Sequence, residues 1–260
     1  MPSLSAHTST SITKLLFIGD SGAGKTGALA SLAGADYKLR ILDMDNGLDS
    51  LVMQIKQHYP SKLGNVDFET LRDKYKSSDT GPIIDGMPKA FIGALKLLDK
   101  WTDGTKPETW GPDYILVVDS LTFLSNAAME WAEVFKSSKD RRQVYGEAQR
   151  AVEHVIAMLT AESFRCNVII IAHVDYIDRQ DGLKKGFPTT VGKALSPKLP
   201  AYFNSVALCE SVFKDGKVRR TVRTTSTSLI DLKNPASLRM APDMPVETAL
   251  ADFFKTVKGK

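Results

Sequence analysis

The chain has 260 residues, 43% hydrophobic and 25% charged, enough for one sizeable α/β domain with a buried core and no need for two. A net charge of +4 permits contact with nucleic acid without arguing for it, because a few surplus lysines are common on solvated surfaces. Two separated cysteines outside any metal-ligand spacing, no apolar run near the roughly 18 residues of a membrane span, and no signal-peptide core point to a reduced, non-membrane, cytoplasmic protein.

Residues 1–11 are polar and read as a flexible tail, with a single domain expected over 12–260. Residues 14–18 form an apolar run ending in glycine, as a buried parallel strand would. A helix is expected over 27–33, strands over 38–44 and 65–71, and a polar loop over 74–86 around Gly81-Pro82. Residues 88–101 carry Phe91, Leu95 and Leu98 at helical spacing, and residues 114–118 are a second uninterrupted apolar run, closed by Asp119. Helices follow over 120–135 and 143–164, the latter with Val152, Ile156 and Leu159 on one face. A buried strand over 167–172 leads into a long irregular stretch, 174–200. Strands over 204–212 and 217–224 are joined by Asp215-Gly216, a hairpin signal, and a helix over 246–257 closes the pattern. Early βα alternation with a late hairpin predicts a mostly parallel, twisted sheet flanked by helices, with an antiparallel hairpin at its edge.

Gly19-Asp20-Ser21-Gly22-Ala23-Gly24-Lys25-Thr26 fits G-x-x-x-x-G-K-[ST] in full, between a strand and a helix. Glycines let the backbone fold into a concave nest of N–H groups that faces phosphate, and the helix N-terminus adds positive potential. Lys25 is a point charge for the β- and γ-phosphates of ATP, and Thr26 offers a hydroxyl to Mg2+. A chance glycine-rich turn is the bland alternative, and the strand–helix context argues against it.

Asp119, at the carboxyl end of its strand, is placed to hold Mg2+ beside that loop, although an Asp there can also cap the next helix. Hydrolysis needs a group to orient or deprotonate water. Asp45 in Ile41-Leu42-Asp43-Met44-Asp45-Asn46-Gly47 is the candidate, Asp43 a weaker one, and either can instead shape the turn before Gly47. His173, after Ile169-Ile170-Ile171-Ala172, is either a hydrogen-bond partner of the γ-phosphate or a core histidine.

The order of these parts resembles the RecA-like recombinase and KaiC-like ATPase core over Ile12 to about Thr224. It is most similar to the short RecA-like proteins of phages, described as ATP-dependent single-strand annealing or recombination proteins. Val191-Gly192-Lys193-Ala194-Leu195, Leu199-Pro200-Ala201-Tyr202-Phe203 and Arg223-Thr224-Thr225 match their later pattern. The resemblance implies that Asp45 takes the place of a catalytic glutamate, one methylene shorter, and that Asp49 contacts adenine. It makes His173 the γ-phosphate sensor and residues 174–200 the DNA-binding loop. There Arg179, Lys184, Lys185 and Lys193 would meet single-stranded DNA, with Tyr176 and Phe187 available to stack on bases; a solvated loop is the alternative. Such ATPases form homo-oligomers with ATP between subunits, which makes Arg219, Arg220 and Arg223 candidates for a cation acting in trans. Arginines on an edge strand also protect against aggregation. The folded N-terminal oligomerisation domain of larger recombinases has no counterpart in the dozen polar residues before the first strand.

A DNA-stimulated ATP hydrolase, in the host cytoplasm if phage-encoded, is the expectation that follows. The competing reading is a nucleotide-dependent assembly or regulatory ATPase with a protein partner and no DNA binding. A small-molecule kinase is disfavoured, since the chain shows no recognisable lid motif.

Overall fold

The computed structural model describes residues 11–135, 140–178, 182, 184–192, 194–214 and 216–259. In chain order the elements are β1 (Lys14–Gly19), α1 (Lys25–Ala28), α2 (Ala30–Gly34), β2 (Lys38–Asp43), α3 (Asp49–His58), β3 (Val66–Thr70), β4 (Tyr75–Lys76), β5 (Ile83–Ile84) and α4 (Ala90–Asp99). They continue with β6 (Tyr114–Asp119), α5 (Leu121–Phe135), α6 (Arg141–Thr160), β7 (Asn167–Ala172), β8 (Val174–Asp178), β9 (Lys184–Pro188), α7 (Leu199–Tyr202), β10 (Ser205–Lys214), β11 (Lys217–Arg223), β12 (Asp243–Pro245) and α8 (Ala249–Val257).

Eight strands form the main sheet in the order β12-β11-β10-β1-β7-β6-β2-β3. The six from β10 to β3 run parallel, and β11 and β12 add an antiparallel edge. This is the expected α/β architecture, a mostly parallel sheet flanked by helices with an antiparallel edge. The apolar runs are uninterrupted because helices cover both faces. Leu16, Ile18, Leu116, Val118, Val168 and Ile170 pack beneath α4, α5 and α6. Their alternate neighbours Leu15, Phe17, Ile115, Val117, Ile169 and Ile171 pack beneath α1, α2, α3 and α8. Each such side chain contributes roughly 1.5–3 kcal/mol of burial.

Three expectations are corrected. The 174–200 stretch is not wholly irregular: β8 and β9 pair as a hairpin, Val174 against Pro188 through Asp178 against Lys184. Its tip holds Gly182 at φ 78°, a left-handed conformation suited to glycine. The 74–86 loop likewise contains the short β4–β5 ladder, Tyr75 opposite Ile84. α3 was not foreseen; only Leu51 and Ile55 of its ten residues are buried, so its apolar stripe is too thin to stand out. Residues 1–10 of the expected tail and Asp215 of the late turn lie outside the described residues. Among the described residues no helix is long and apolar enough to cross a membrane.

Candidate functional site

The parallel strands deliver their chemistry to one edge, the carboxyl ends of β1, β7, β6 and β2. β1 passes so close to β10 at Gly19 that a Cβ there would lie 2.1 Å from the Cys209 carbonyl oxygen. The turn from Asp20 to Gly24 follows, with Gly24 left-handed at φ 103° and covered by the Arg220 side chain. Lys25 opens α1 and is 6% exposed; its Nζ donates to the Gly19 and Asp20 carbonyls, both at 2.8 Å. Burial lowers its pKa, opposed by the nearby acidic side chains of Asp119, Asp20 and Asp45.

The Thr26 hydroxyl donates to Asp119 Oδ2 at 2.7 Å. That bond brings together the two groups expected at Mg2+, although their residues are 93 positions apart. Asp119 is 1% exposed, and burial pushes its carboxyl up to about 7 against the Thr26 bond, with Asp45 and Asp43 adding repulsion. The Asp119–Ser120 peptide is cis. Asp43 stands opposite Asp119 on β2 with both oxygens occupied: Gly47 N–H donates to Oδ1 at 3.2 Å and Thr70 Oγ1 to Oδ2 at 2.7 Å. That is the bonding of a turn-shaping residue. Asp45 differs: its Oδ1 is buried against Gly47 and, among the described residues, has no hydrogen-bond partner. Burial and then the Asp43 carboxylate raise its pKa.

A hydroxyl bonded to a carboxylate, an adjacent ammonium and an orphaned buried carboxylate oxygen form a donor set that fits Mg2+ and a triphosphate. Mg2+ typically takes one or two protein oxygens and fills the rest of its shell with phosphate and water. Beside the loop opens a cleft of about 380 Å³, bounded by Thr26, Gly27, Ser50 and Gln54 on one side and Arg220 and Glu247 on the other. Asp49 is exposed in the first turn of α3, and its neighbours Ser50 and Gln54 line the cleft. A second cleft, of about 330 Å³, lies around Asp36, Tyr37 and Lys258 at the opposite end of the sheet, away from the loop.

His173 follows β7, between the strands that carry the loop and Asp119. Its N–H donates to Thr122 Oγ1 at 3.3 Å, its carbonyl accepts from Thr189 N at 2.8 Å, and its ring meets Phe123 edge-on at 6.5 Å. Its pKa is lowered by burial and then by the charge of Lys25. On the following hairpin Lys184 is exposed, while Lys185 pairs with Asp231 at 2.6 Å. Arg179 and Lys193 lie outside the described residues. Tyr176 has an exposed ring, and partial burial of its hydroxyl, then Asp20 and Glu210, raises its pKa. Of the three arginines, Arg223 binds Glu210 at 2.8 Å and Asp243 at 2.9 Å. Arg220 reaches its own chain's Gly22 carbonyl at 3.4 Å, and Arg219 lies on the opposite face of the strand.

The profile of a family described as an AAA domain matches residues 12–236, from just before β1 to beyond β11. The chain belongs to that family. The AAA domain here is a P-loop ATPase domain, with the phosphate loop and the Asp119 strand inside the matched range. No curated protein matches the chain. Among solved structures it is similar to a KaiC-like protein from the hyperthermophilic archaeon Pyrococcus horikoshii OT3, at 11% identity over 81% of this chain and 77% of that one, with a TM-score of 0.42. Within this AAA domain, sequence reading missed Ser50, Gln54, Thr122 and Arg72. None belongs to a motif, and each is brought to the site by tertiary packing alone.

Proposed function

We propose that this chain hydrolyses Mg-ATP and couples the nucleotide state to single-stranded DNA. The observation that carries hydrolysis is the 2.7 Å Thr26–Asp119 bond, set beside Lys25 and the unpartnered oxygen of Asp45. In this reading Lys25 exchanges its two loop carbonyls for phosphate oxygens. Thr26 and Asp119 hold the metal, and Asp45 Oδ1 orients the attacking water and accepts its proton. Bound Mg-ATP supplies the activated γ-phosphoryl group and the metal's positive charge. Neutral His173 hydrogen-bonds a γ-phosphate oxygen.

His173 is also the last residue before β8, and its carbonyl anchors Thr189 just after β9. A change at the γ-phosphate therefore reaches both ends of the hairpin. Lys184 offers charge and Tyr176 a stacking face, the two elements of non-specific single-strand binding. A homo-oligomer would draw its trans cation from Arg219, Arg220 or Arg223, of which Arg220 already lies on its own phosphate loop. A second reading, nucleotide-dependent assembly with a protein partner, draws support from the exposed Asp175 and Asp178 and from the pairing of Lys185 with Asp231. These reduce the positive charge the hairpin can offer to DNA.

ATP turnover by wild type and Lys25→Ala, each with and without an oligothymidylate across a salt series, tests the proposal. Expected are loss of turnover in the variant and DNA stimulation of the wild type that fades as salt rises. Unchanged turnover in Lys25→Ala overturns hydrolysis at this site. DNA-indifferent rates with an ATP-dependent change in size-exclusion profile select the protein-partner reading.

A further inference from the structure

Three consecutive residues at the end of β3 each bond the segment that carries Asp45. Thr70 Oγ1 donates to Asp43 Oδ2 at 2.7 Å, Leu71 N–H to the Asp43 carbonyl at 2.8 Å, and Arg72 Nη1 to the Asp45 carbonyl at 3.0 Å. The next residue, Asp73, accepts from the backbone N–H groups of Lys89 and Ala90 at the start of α4, the latter at 3.0 Å. Arg72 is thus held from both sides by a chain that has little freedom to shift. Its guanidinium lies 5.7 Å from the Phe123 ring centroid, and the same ring meets His173 at 6.5 Å. One planar cation therefore touches the main chain of Asp45 on one side and, through a single aromatic ring, His173 on the other.

We propose that Arg72 is a positioning residue for ATP hydrolysis, holding the Asp45 main chain so that its carboxylate stays close to Lys25 and Asp119, with Thr70 as the second point of the same brace. This rests on the reading of Asp45 as the water-orienting group. Among the described residues no hydrogen bond fixes Asp45 Oδ1, which lies against Gly47, so its direction depends on the backbone beneath it. A small cavity of about 60 Å³, bounded by Met44, Leu71, Arg72 and Phe123, gives that backbone room to move once the Arg72 bond is gone. A guanidinium suits the task because it donates in a fixed plane while stacking on an aromatic face, which an ammonium cannot do. Arg72 is itself exposed, and surface substitutions away from special features usually change stability by within about 0.5 kcal/mol. A role in holding the fold alone would therefore leave little trace in turnover.

Single-turnover and steady-state ATP hydrolysis by Arg72→Ala, Arg72→Lys, Thr70→Val and Asp45→Asn test this, with melting curves for each. Expected for Arg72→Ala is a kcat loss of roughly 10–100-fold, the scale of an ångström-level misplacement, with KM for ATP and melting temperature unchanged. Arg72→Lys recovers part of the loss, Thr70→Val shows a smaller one, and Arg72→Ala adds nothing in an Asp45→Asn background. The acid limb of the kcat profile moves to higher pH in Arg72→Ala, because the guanidinium is one of the groups that lower the pKa of Asp45. Wild-type kcat and an unshifted limb in Arg72→Ala, with Asp45→Asn inactive, overturn the brace while leaving Asp45 in place. Wild-type activity in Asp45→Asn removes the reading beneath it, and the brace with it. Should Arg72→Ala fail to fold, the pH profile and kcat of Arg72→Lys decide: a full wild-type profile there counts against the proposal.

Discussion

The molecule contains the same lysine arrangement twice, at opposite ends of one strand. Lys14 at the start of β1 is 6% exposed and donates to the carbonyls of Phe164 and Cys166 at 2.7 and 2.8 Å. Lys25, just past the end of β1, is also 6% exposed and donates to two carbonyls, both at 2.8 Å. Burial lowers the pKa of each, that of Lys14 to about 8. The difference lies in what they join. Lys14 ties β1 to the segment that enters β7, next to an Asn167 side chain that bonds Thr13, Pro112 and Tyr114. Lys25 only ties the phosphate loop to itself, and Asp45 and Asp119 lie near enough to act on its charge. Among the described residues the unpartnered buried polar atoms are Thr13 Oγ1 and Arg40 Nε at the base, and a carboxylate oxygen of Asp45 and Ser120 Oγ at the top. The base joins strands to one another, and the top gathers Lys25, Asp45 and Asp119 within electrostatic reach of each other.

Methionine at each lysine separates the two ends most sharply. Lys25→Met is expected to lower ATP turnover by roughly 10²–10³-fold, the usual cost of removing one preorganised charge stabiliser, with little change in melting temperature. Lys14→Met keeps the aliphatic stem but leaves two buried carbonyls unbonded, for a loss of about 1–3 kcal/mol and a fall of roughly 2–4 °C per kcal/mol in a domain this size. Turnover per folded molecule stays at the wild-type level. Thermal melts and initial rates on both variants suffice. A stability loss at Lys25 equal to that at Lys14 would erase the distinction.

A smaller effect is expected from Asp119→Asn. The folded carboxyl titrates at about 7 against a usual value of 3.8, so the folded chain binds the extra proton between those limits. Stability attributable to this group therefore falls as pH rises from about 4 to 7, and the penalty is fully present above 7. Asparagine removes the penalty and can still accept the Thr26 hydroxyl. The nucleotide-free variant should melt roughly 5 °C above wild type at pH 8 and level with it near pH 4, while losing Mg2+-dependent nucleotide binding. This is the stability–activity trade expected of a functional site. A pH-independent difference would mean that folding does not raise the Asp119 carboxyl above its usual value.

The two ends were unequally legible in the sequence. Runs such as residues 114–118 and 168–172 announce parallel strands, because two covered faces force nearly every position to be apolar. The phosphate loop is equally plain, because contact with phosphate constrains eight consecutive residues. The meeting of Thr26 with Asp119 was expected, since strand ends share one sheet edge. The bracing of Asp45 was not: Thr70, Leu71 and Arg72 form no motif, and their bonds depend on β3 lying beside β2. The β8–β9 hairpin was hidden for another reason. Its alternation is broken by lysine and glycine, and Gly186 is there because Ile230 packs where a side chain would go. Such close approaches leave no local trace.

The smallest expected effect bears on how the top end senses its ligand. The pKa of His173 is held below the usual value first by burial and second by the charge of Lys25, with Asp20 opposing. Its imidazole is therefore neutral at pH 7, and its contribution to stability is complete above about 6.5 and declines as pH falls below that. A triphosphate beside Lys25 offsets the second cause, so the His173 pKa should rise when Mg-ATP or a non-hydrolysable analogue binds, and should rise in Lys25→Met without nucleotide. NMR titration of the imidazole Cε1–H resonance, assigned with His173→Gln, reads both shifts. If Lys25→Met left the titration where it was while nucleotide still moved it, the nucleotide would be acting on His173 directly. The electrostatic link between the loop and the strand end that leads into the hairpin would then be absent.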